Sequence, residues 1–341
     1  MLQAQDYRGM YAIIATPAKD NASQLDAINT VDLDETERLV EALIRDGSTG
    51  LIVLGTTGEC ATLSDPDYRS FAACVLETVK HRIPTIVGAT AMGGHEVVRR
   101  LHYIRDLGAD GTLLGLPNWQ PVTTRMAVDY FAAVSQAFPD LAVMAYANAR
   151  AFRYGFPPEF WEAVARLAPT VTSAKYSRAQ GLPELIRSTQ GRIHFMPNEM
   201  AVHEFLTVAP ETTTSCWATA SGMNPLPAVA LMQAIEARND EAIRTLVAAI
   251  AWANAPLQPM FGNPELFAQF NIQVEKARIN AAGYSRCGPT RPPYQDLPEE
   301  HAAPARECAR RWAELCTSYT GNFRFTHCPW NDAALATPAN A

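Results

Sequence analysis

Several features of common protein classes are missing from this 341-residue chain. It has no apolar run near the ~20 residues that a membrane-spanning helix needs. Its net charge of −7 argues against nucleic acid and anionic membranes as partners. The first residues, 1–6, contain no basic segment followed by an apolar stretch, as a signal peptide would. We therefore expect a cytoplasmic protein, and the length allows a large core.

Metal-binding and disulfide patterns are also missing. The seven cysteines are an odd number, lie far apart and form no C-x-x-C pair, which predicts reduced thiols rather than a disulfide framework or a zinc site. His95-Glu96 and His203-Glu204 both lack the second histidine of an H-E-x-x-H motif. We expect no metal.

Lysine is scarce, with 4 lysines against 24 arginines. Lys19, Lys80 and Lys276 have ordinary surface interpretations. Lys175 ends a β-prone run, Thr170–Tyr176, that should be buried in a parallel sheet. Because burial of an ammonium is costly, Lys175 is either a lysine that reaches solvent from the strand end or an amine nucleophile with a lowered pKa.

Short apolar runs alternate with stretches of helical spacing, which is typical of a parallel α/β fold. The eight runs predict strands at residues 11–14, 50–54, 85–89, 112–116, 142–146, 170–176, 193–196 and 213–217. Eight such units in about 220 residues favour a (β/α)8 TIM barrel over an open doubly wound sheet. The first strand has no G-x-G-x-x-G after it, which weakens the dinucleotide-binding alternative.

Helical periodicity also predicts the chain's organisation. Within the barrel it predicts helices at 34–46 and 64–82. After the barrel it predicts a helical appendage with helices at 228–238, 240–255, 264–283 and 298–319. The predicted division is a catalytic barrel at 8–226, a C-terminal helical domain at 227–324 and an irregular tail at 325–341.

The carboxyl ends of barrel strands normally form the active site, and several of them carry suitable side chains here. Strand two ends in Gly55-Thr56-Thr57-Gly58-Glu59, a tight turn whose N–H and O–H groups can hold a carboxylate. Strand five ends in Tyr146-Ala147-Asn148, where a phenol can move a proton. Asn118-Trp119 and Trp217 follow strands four and eight, and indoles there suit a flat substrate. Each has a plain packing explanation when taken alone.

Taken together, G-T-T-G-E after strand two, tyrosine after strand five and lysine after strand six resemble the dihydrodipicolinate synthase / N-acetylneuraminate lyase family. The resemblance spans roughly residues 8–295 and is strongest to the hydratase-aldolases of polycyclic aromatic hydrocarbon breakdown. Segments that carry it include Gly58–Leu63, Phe270–Ile272, Glu275–Arg278 and Gly288–Tyr294. It implies a class I pyruvate aldolase that forms a Schiff base, a homotetrameric lyase without metal or organic cofactor.

The resemblance also implies residue roles. Lys175 would form the imine with the keto carbon, and Tyr146 would move protons. The pyruvoyl carboxylate would be held by Thr56, Thr57 and the Gly58 turn. The aryl pocket and the water would be shaped by Asn118, Trp119, Asn148, Trp217 and Asn271.

Two departures from the family pattern matter. Asn118-Trp119 stands where many members carry paired tyrosines, one of which reaches the neighbouring subunit. This argues against dihydrodipicolinate synthesis and for an aromatic substrate. Ala149 replaces the proline that is common after Tyr-x-Asn in this branch.

The expected substrate is an aromatic 2-oxo acid, an ortho-substituted benzylidenepyruvate. A 2'-carboxyl is favoured over an o-hydroxyl because further donors are near the strand ends, namely Asn118, Gln120, Arg150 and Arg153. Two alternatives stay open: another pyruvate-dependent aldolase or dehydratase of the family, acting on a sugar acid or a dihydrodipicolinate-type substrate, and a non-catalytic ligand-binding barrel.

Overall fold

The structure is a computed structural model that describes residues 1–318. The predicted tail at 325–341 lies outside the described residues, as do the last residue of the predicted helix at 298–319 and the end of the predicted helical domain. The division into domains therefore stays a prediction.

Eight parallel strands form one sheet in the order β7-β6-β5-β4-β3-β2-β1-β8. The strands are β1 (Gly9–Ile13), β2 (Gly50–Val53), β3 (Thr85–Gly88), β4 (Gly111–Leu114), β5 (Ala142–Tyr146), β6 (Val171–Lys175), β7 (His194–Met196) and β8 (Ser215–Ala218). A parallel bridge between Asn198 and Trp217 joins the two ends of the sheet. The sheet thus closes into a barrel, and the predicted (β/α)8 TIM barrel is confirmed.

Helices follow the strands around the outside of the barrel. They are α1 (Leu33–Arg45), α2 (Asp65–Val79), α3 (Gly94–Asp106), α4 (Thr124–Ala137), α5 (Ala149–Phe152), α6 (Pro158–Leu167), α7 (Leu182–Ser188) and α8 (Val202–Val208). Local sequence explains their starts: Ser64 accepts a hydrogen bond from the Asp67 N–H at 3.3 Å, and Pro66 occupies the first turn of α2. Phe71 and Val75 of that helix are fully buried in the core.

Within the described residues, the C-terminal appendage consists of helices and connecting loops and contains no strand. Its helices are α9 (Leu226–Glu236), α10 (Asp240–Asn254), α11 (Gln258–Phe261), α12 (Pro264–Ala282) and α13 (Glu299–Ser318). Helix α12 packs against α13 and returns to the carboxyl ends of the strands, where Lys276 contacts Glu59 in the loop after β2. The appendage therefore forms one wall of the barrel mouth.

Among residues 1–318, none of the helices combines the length and the apolar character needed to cross a membrane.

Candidate active site

A cavity of about 560 Å³ opens at the carboxyl ends of the strands. Its walls come from the loop after β2, the ends of β5, β6 and β8, the loop after β7, and helices α11 and α12. Seven of the predicted site residues line it: Thr56, Thr57, Tyr146, Asn148, Lys175, Trp217 and Asn271. Residues that are separated by more than 200 positions in the chain thus meet in one chamber.

Lys175 is the last residue of β6, opposite Tyr146 of β5 in the register. Its Nζ lies 3.3 Å from the centroid of the Trp217 ring and 4.9 Å from that of Tyr146. None of the ion pairs within residues 1–318 involves Lys175. Burial lowers the pKa of Lys175 to about 7, against the opposing charges of Glu199 and Glu275. An uncharged amine is therefore present near neutral pH.

Tyr146 presents its phenol to the same chamber. The Tyr146 and Thr56 hydroxyls share a hydrogen bond of 2.9 Å, and the Asn148 Nδ2 donates to the phenol oxygen at 3.3 Å. Asn148 is itself held as the N-cap of α5, where its Oδ1 accepts from the Ala151 N–H at 3.1 Å. Burial raises the pKa of the Tyr146 phenol, so the group keeps its proton and can donate it.

A polar pair after β7 completes this part of the site. Asn198 lines the cavity, and its Nδ2 donates to the carboxylate of the buried Glu199. The Glu199 Oε1 has no hydrogen-bond partner among the described residues, and burial raises the pKa of Glu199 to about 7. Both residues closely follow a barrel strand, and that position is a signal from which the sequence analysis could have predicted the pair.

Helix α12 contributes a second polar wall. Glu275 and Arg278 form a buried ion pair of 2.7 Å, and the Arg278 Nη1 donates to the Asn254 Oδ1 at 2.9 Å. Asn271, one turn earlier, has a buried Oδ1 without a partner among residues 1–318. Sequence reasoning expected Asn271 here but missed the ion pair, because nothing in the helical pattern indicates which polar residues face the barrel.

Three predicted binding residues do not line the cavity. Gly58 serves the turn itself: its carbonyl accepts from the Thr16 hydroxyl at 2.7 Å, and a Cβ there would meet the Leu54 backbone nitrogen at 2.8 Å. Trp119 is 76% exposed, and the carbonyls of Asn118 and Trp119 accept hydrogen bonds from Arg153. The binding roles of these three residues stay predictions.

The surface interpretation of Lys276 was wrong. This lysine is 2% exposed; its Nζ donates to the Glu59 Oε2 at 2.7 Å and to the Pro289 carbonyl at 2.6 Å. Arg291 also pairs with Glu59, at 2.5 Å. Because Glu59 directly follows the Thr56–Gly58 turn, this cluster ties the turn to the C-terminal helices. Lys19 and Lys80 are exposed as expected.

Within residues 1–318, no three histidine, cysteine, aspartate or glutamate side chains come together as metal ligands would. What the site does present is an unpaired amine, a protonated phenol and, on the Thr56-Thr57 turn, hydroxyl and backbone donors. This set can attack a ketone, transfer a proton and hold a carboxylate.

A sequence profile described as the dihydrodipicolinate synthetase family matches residues 19–181. The chain is 36% identical to a trans-O-hydroxybenzylidenepyruvate hydratase-aldolase of Pseudomonas putida, over 94% of this chain and 97% of the relative. The chain belongs to the dihydrodipicolinate synthetase family. It is also 32% identical to a trans-2'-carboxybenzalpyruvate hydratase-aldolase of Nocardioides sp. (strain KP7), over 92% of this chain and 95% of the relative.

The fold is matched by solved structures. One described as PhdJ bound to substrate intermediate superposes with a TM-score of 0.89 at 34% identity, over 93% of this chain and 99% of the other. A sialic acid aldolase of Ruminococcus gnavus superposes with a TM-score of 0.76 at 15% identity, over 93% of this chain and 99% of the other, which supports the fold alone.

Proposed function

We propose that this protein is a hydratase-aldolase that converts an ortho-substituted benzylidenepyruvate and water into an aromatic aldehyde and pyruvate. The observation that carries the proposal is the unpaired Lys175 amine, which shares a cavity with the Tyr146 phenol. The two relatives named above support the reaction class, and their names differ only in the ortho group.

The reaction begins when the neutral Lys175 amine attacks the keto carbon, C2. Loss of water from the adduct forms the imine, and the Tyr146 phenol donates the proton that the leaving oxygen needs. The substrate carboxylate accepts hydrogen bonds from the turn at Thr56 and Thr57. Thr56 also bonds to the Tyr146 hydroxyl at 2.9 Å, so the carboxylate site and the proton donor share one residue.

The protonated imine then acts as an electron sink. It draws electrons from the conjugated alkene, so water adds its oxygen to C4, the carbon that carries the aryl ring, and a proton goes to C3. The C4 hydroxyl then loses its proton as the C3–C4 bond breaks, and the bonding pair moves to the imine nitrogen as an enamine. The aldehyde leaves, C3 is protonated, and water hydrolyses the imine to release pyruvate. None of these reaction steps requires a metal or an organic cofactor.

Borohydride trapping tests the proposal directly. The protein is incubated with pyruvate and borohydride and then digested. Mass spectrometry gives the mass of the peptide that contains Lys175. A pyruvate adduct on Lys175 is expected. Its absence would contradict imine chemistry and favour a binding protein. Loss of the conjugated absorbance of benzylidenepyruvates then separates this activity from that of other pyruvate aldolases of the family.

Tyr146→Phe tests the proton-transfer role. The variant keeps the ring that packs on Phe152 but loses the hydroxyl shared with Thr56. Turnover should fall by roughly 10²- to 10⁴-fold, as is typical when a general acid–base is removed. A fully active variant would show that the phenol has no such role.

Location in the cytoplasm and assembly as a homotetramer are part of the same proposal. The first rests on the composition of the chain and the second on the family resemblance. Sedimentation equilibrium of the purified protein gives the assembly mass, and a monomeric mass would contradict the tetramer.

A further inference from the structure

The outer part of the cavity contains an arginine that has no carboxylate partner among residues 1–318. Arg150 lies in the first turn of α5, immediately after the residues that position the catalytic phenol. It lines the same cavity as Lys175. No ion pair within residues 1–318 includes Arg150, and its one hydrogen bond, from Nη1 to the Pro264 carbonyl, is long at 3.5 Å. Most of its donor capacity is therefore free.

An aromatic ring lies against this guanidinium, and a second ring packs behind it. The Arg150 Cζ lies 5.1 Å from the centroid of Phe267, which packs edge-to-face on Phe261 with centroids 5.3 Å apart. Both phenylalanines line the cavity. A flat aryl ring fits such a wall, and the free fork of an arginine suits bidentate binding of a carboxylate.

Three other charged side chains bear on the charge of Arg150, and none of them neutralises it. Arg153 follows Arg150 on the same turn, but it donates to the Asn118 and Trp119 carbonyls and does not line the cavity. Glu204 lines the cavity but forms no ion pair with Arg150. Glu275 is already paired with Arg278.

We propose that Arg150 determines substrate specificity by binding an anionic ortho substituent, a carboxylate, on the aryl ring. This inference rests on the proposed function, because it places the pyruvoyl end of the substrate at Lys175 and the aryl end towards α5. It selects the 2'-carboxyl substrate over the o-hydroxyl one, although the more similar of the two relatives is named for the hydroxyl compound.

The test compares kcat/KM of the full-length protein on 2'-carboxy-, 2'-hydroxy- and unsubstituted benzylidenepyruvate. The carboxylated compound should be the preferred substrate. Arg150→Gln should lower kcat/KM for it by about 10- to 100-fold relative to the unsubstituted compound, the effect of losing hydrogen bonds to a charged group. Arg150→Lys should recover part of the loss, because it keeps the charge but not the planar fork.

Arg166→Gln is the control. It removes one positive charge from an exposed side chain of α6 that does not line the cavity, and it should leave the ratio of carboxylated to unsubstituted substrate unchanged. The inference is overturned if Arg150→Gln slows all three substrates equally, or if the wild-type protein prefers the unsubstituted compound. Trapping with pyruvate distinguishes failure of this inference from failure of the proposed function. If the adduct forms but Arg150→Gln leaves the ratio of carboxylated to unsubstituted substrate unchanged, only the role of Arg150 is rejected. If neither adduct nor turnover is found, the proposed function is rejected, and this inference with it.

Discussion

Two lysines lie near the barrel mouth, Lys276 buried and Lys175 half-buried, and their surroundings differ. Lys276 donates to the Glu59 carboxylate at 2.7 Å and to the Pro289 carbonyl at 2.6 Å. Lys175 forms no ion pair with any of residues 1–318, and its Nζ lies 3.3 Å from the centroid of the Trp217 ring. Burial lowers the pKa of both, but Glu59 directly opposes the shift at Lys276. The partner therefore decides which lysine keeps its proton, and burial alone does not.

The two lysines have different roles, Lys276 a structural one and Lys175 a chemical one. An ammonium that is fully hydrogen-bonded to a carboxylate cannot attack a ketone, and its contribution is to hold two parts of the chain together. An amine without a partner costs folding free energy but is available as a nucleophile. The protein thus uses one residue type for two opposite purposes, and the following variants test whether that distinction is correct.

The largest expected effect is the loss of chemistry in Lys175→Met. Without the amine no imine can form, so the pyruvate adduct should disappear and turnover should fall by on the order of 10⁴-fold or more. Mass spectrometry after borohydride treatment and the substrate assay measure both. Lys80→Met, at an exposed lysine, is the control and should keep full activity. If the adduct persists in Lys175→Met, a residue other than Lys175 is the nucleophile.

Lys276→Met should instead damage stability. Removing the ammonium leaves Glu59 buried with only Arg291 as its charged partner, and breaking a buried ion pair costs roughly 3–5 kcal/mol of unfolding free energy. Chemical denaturation measures this loss. Below the unfolding transition, the variant should still form the pyruvate adduct on Lys175. If the variant is stable but forms no adduct, Lys276 has the chemical role that is proposed here for Lys175.

A smaller effect of opposite sign is expected for the stability of Lys175→Met. The methionine side chain replaces an amine that is desolvated without a partner. The unfolding free energy should therefore rise by about 1 kcal/mol, because removing a destabilising functional group commonly increases stability. The same denaturation experiment measures it at pH 6, where the buried amine must be protonated. A clear loss of stability would mean that Lys175 has a favourable partner in the folded protein.

The smallest expected effect is a shift in the pH dependence of imine formation. Because only the neutral amine attacks, the trapping rate with pyruvate should rise with pH through the Lys175 pKa of about 7. The Glu199 carboxylate favours the ammonium, so Glu199→Gln should move the midpoint to lower pH. Arg150 acts in the opposite direction, and Arg150→Gln should move the midpoint upward. Shifts of the same sign in both variants would reject this electrostatic account.

Much of the barrel was predictable because each strand is a local apolar run that is buried on both faces. All eight predicted strands overlap observed ones. Their ends differ by at most two residues: β5 matches the predicted 142–146 at both ends, whereas β8 was predicted at 213–217 and observed at Ser215–Ala218. Strand ends fray and pair through the partner's register, which single-sequence patterns do not contain. Helices α9, α10, α12 and α13 were predicted for the same local reason, with the ends that the structure describes within two residues of the predicted ones. The four-residue helix α11 was missed.

The placement of cavity residues was predictable where they end a strand, as Tyr146 and Lys175 do, or follow one closely, as Thr56 does. It was not predictable where a helix from the appendage turns towards the barrel. Lys276 looked like a surface residue because its partner, Glu59, is 217 positions away. Trp119 looked like a pocket residue because it follows β4, but its ring is exposed.

The order of strands and helices follows from local patterns in the amino-acid sequence, and so does the edge of the barrel at which the lysine, the phenol and the threonine turn meet. Apolar periodicity acts locally, so it can be recognised without knowledge of the fold. Which lysine is paired, which is free and which arginine lines the cavity depend on how distant segments pack. Charge pairing depends on distances between residues far apart in the chain, and those distances exist only after the barrel has closed and α12 has packed across its mouth.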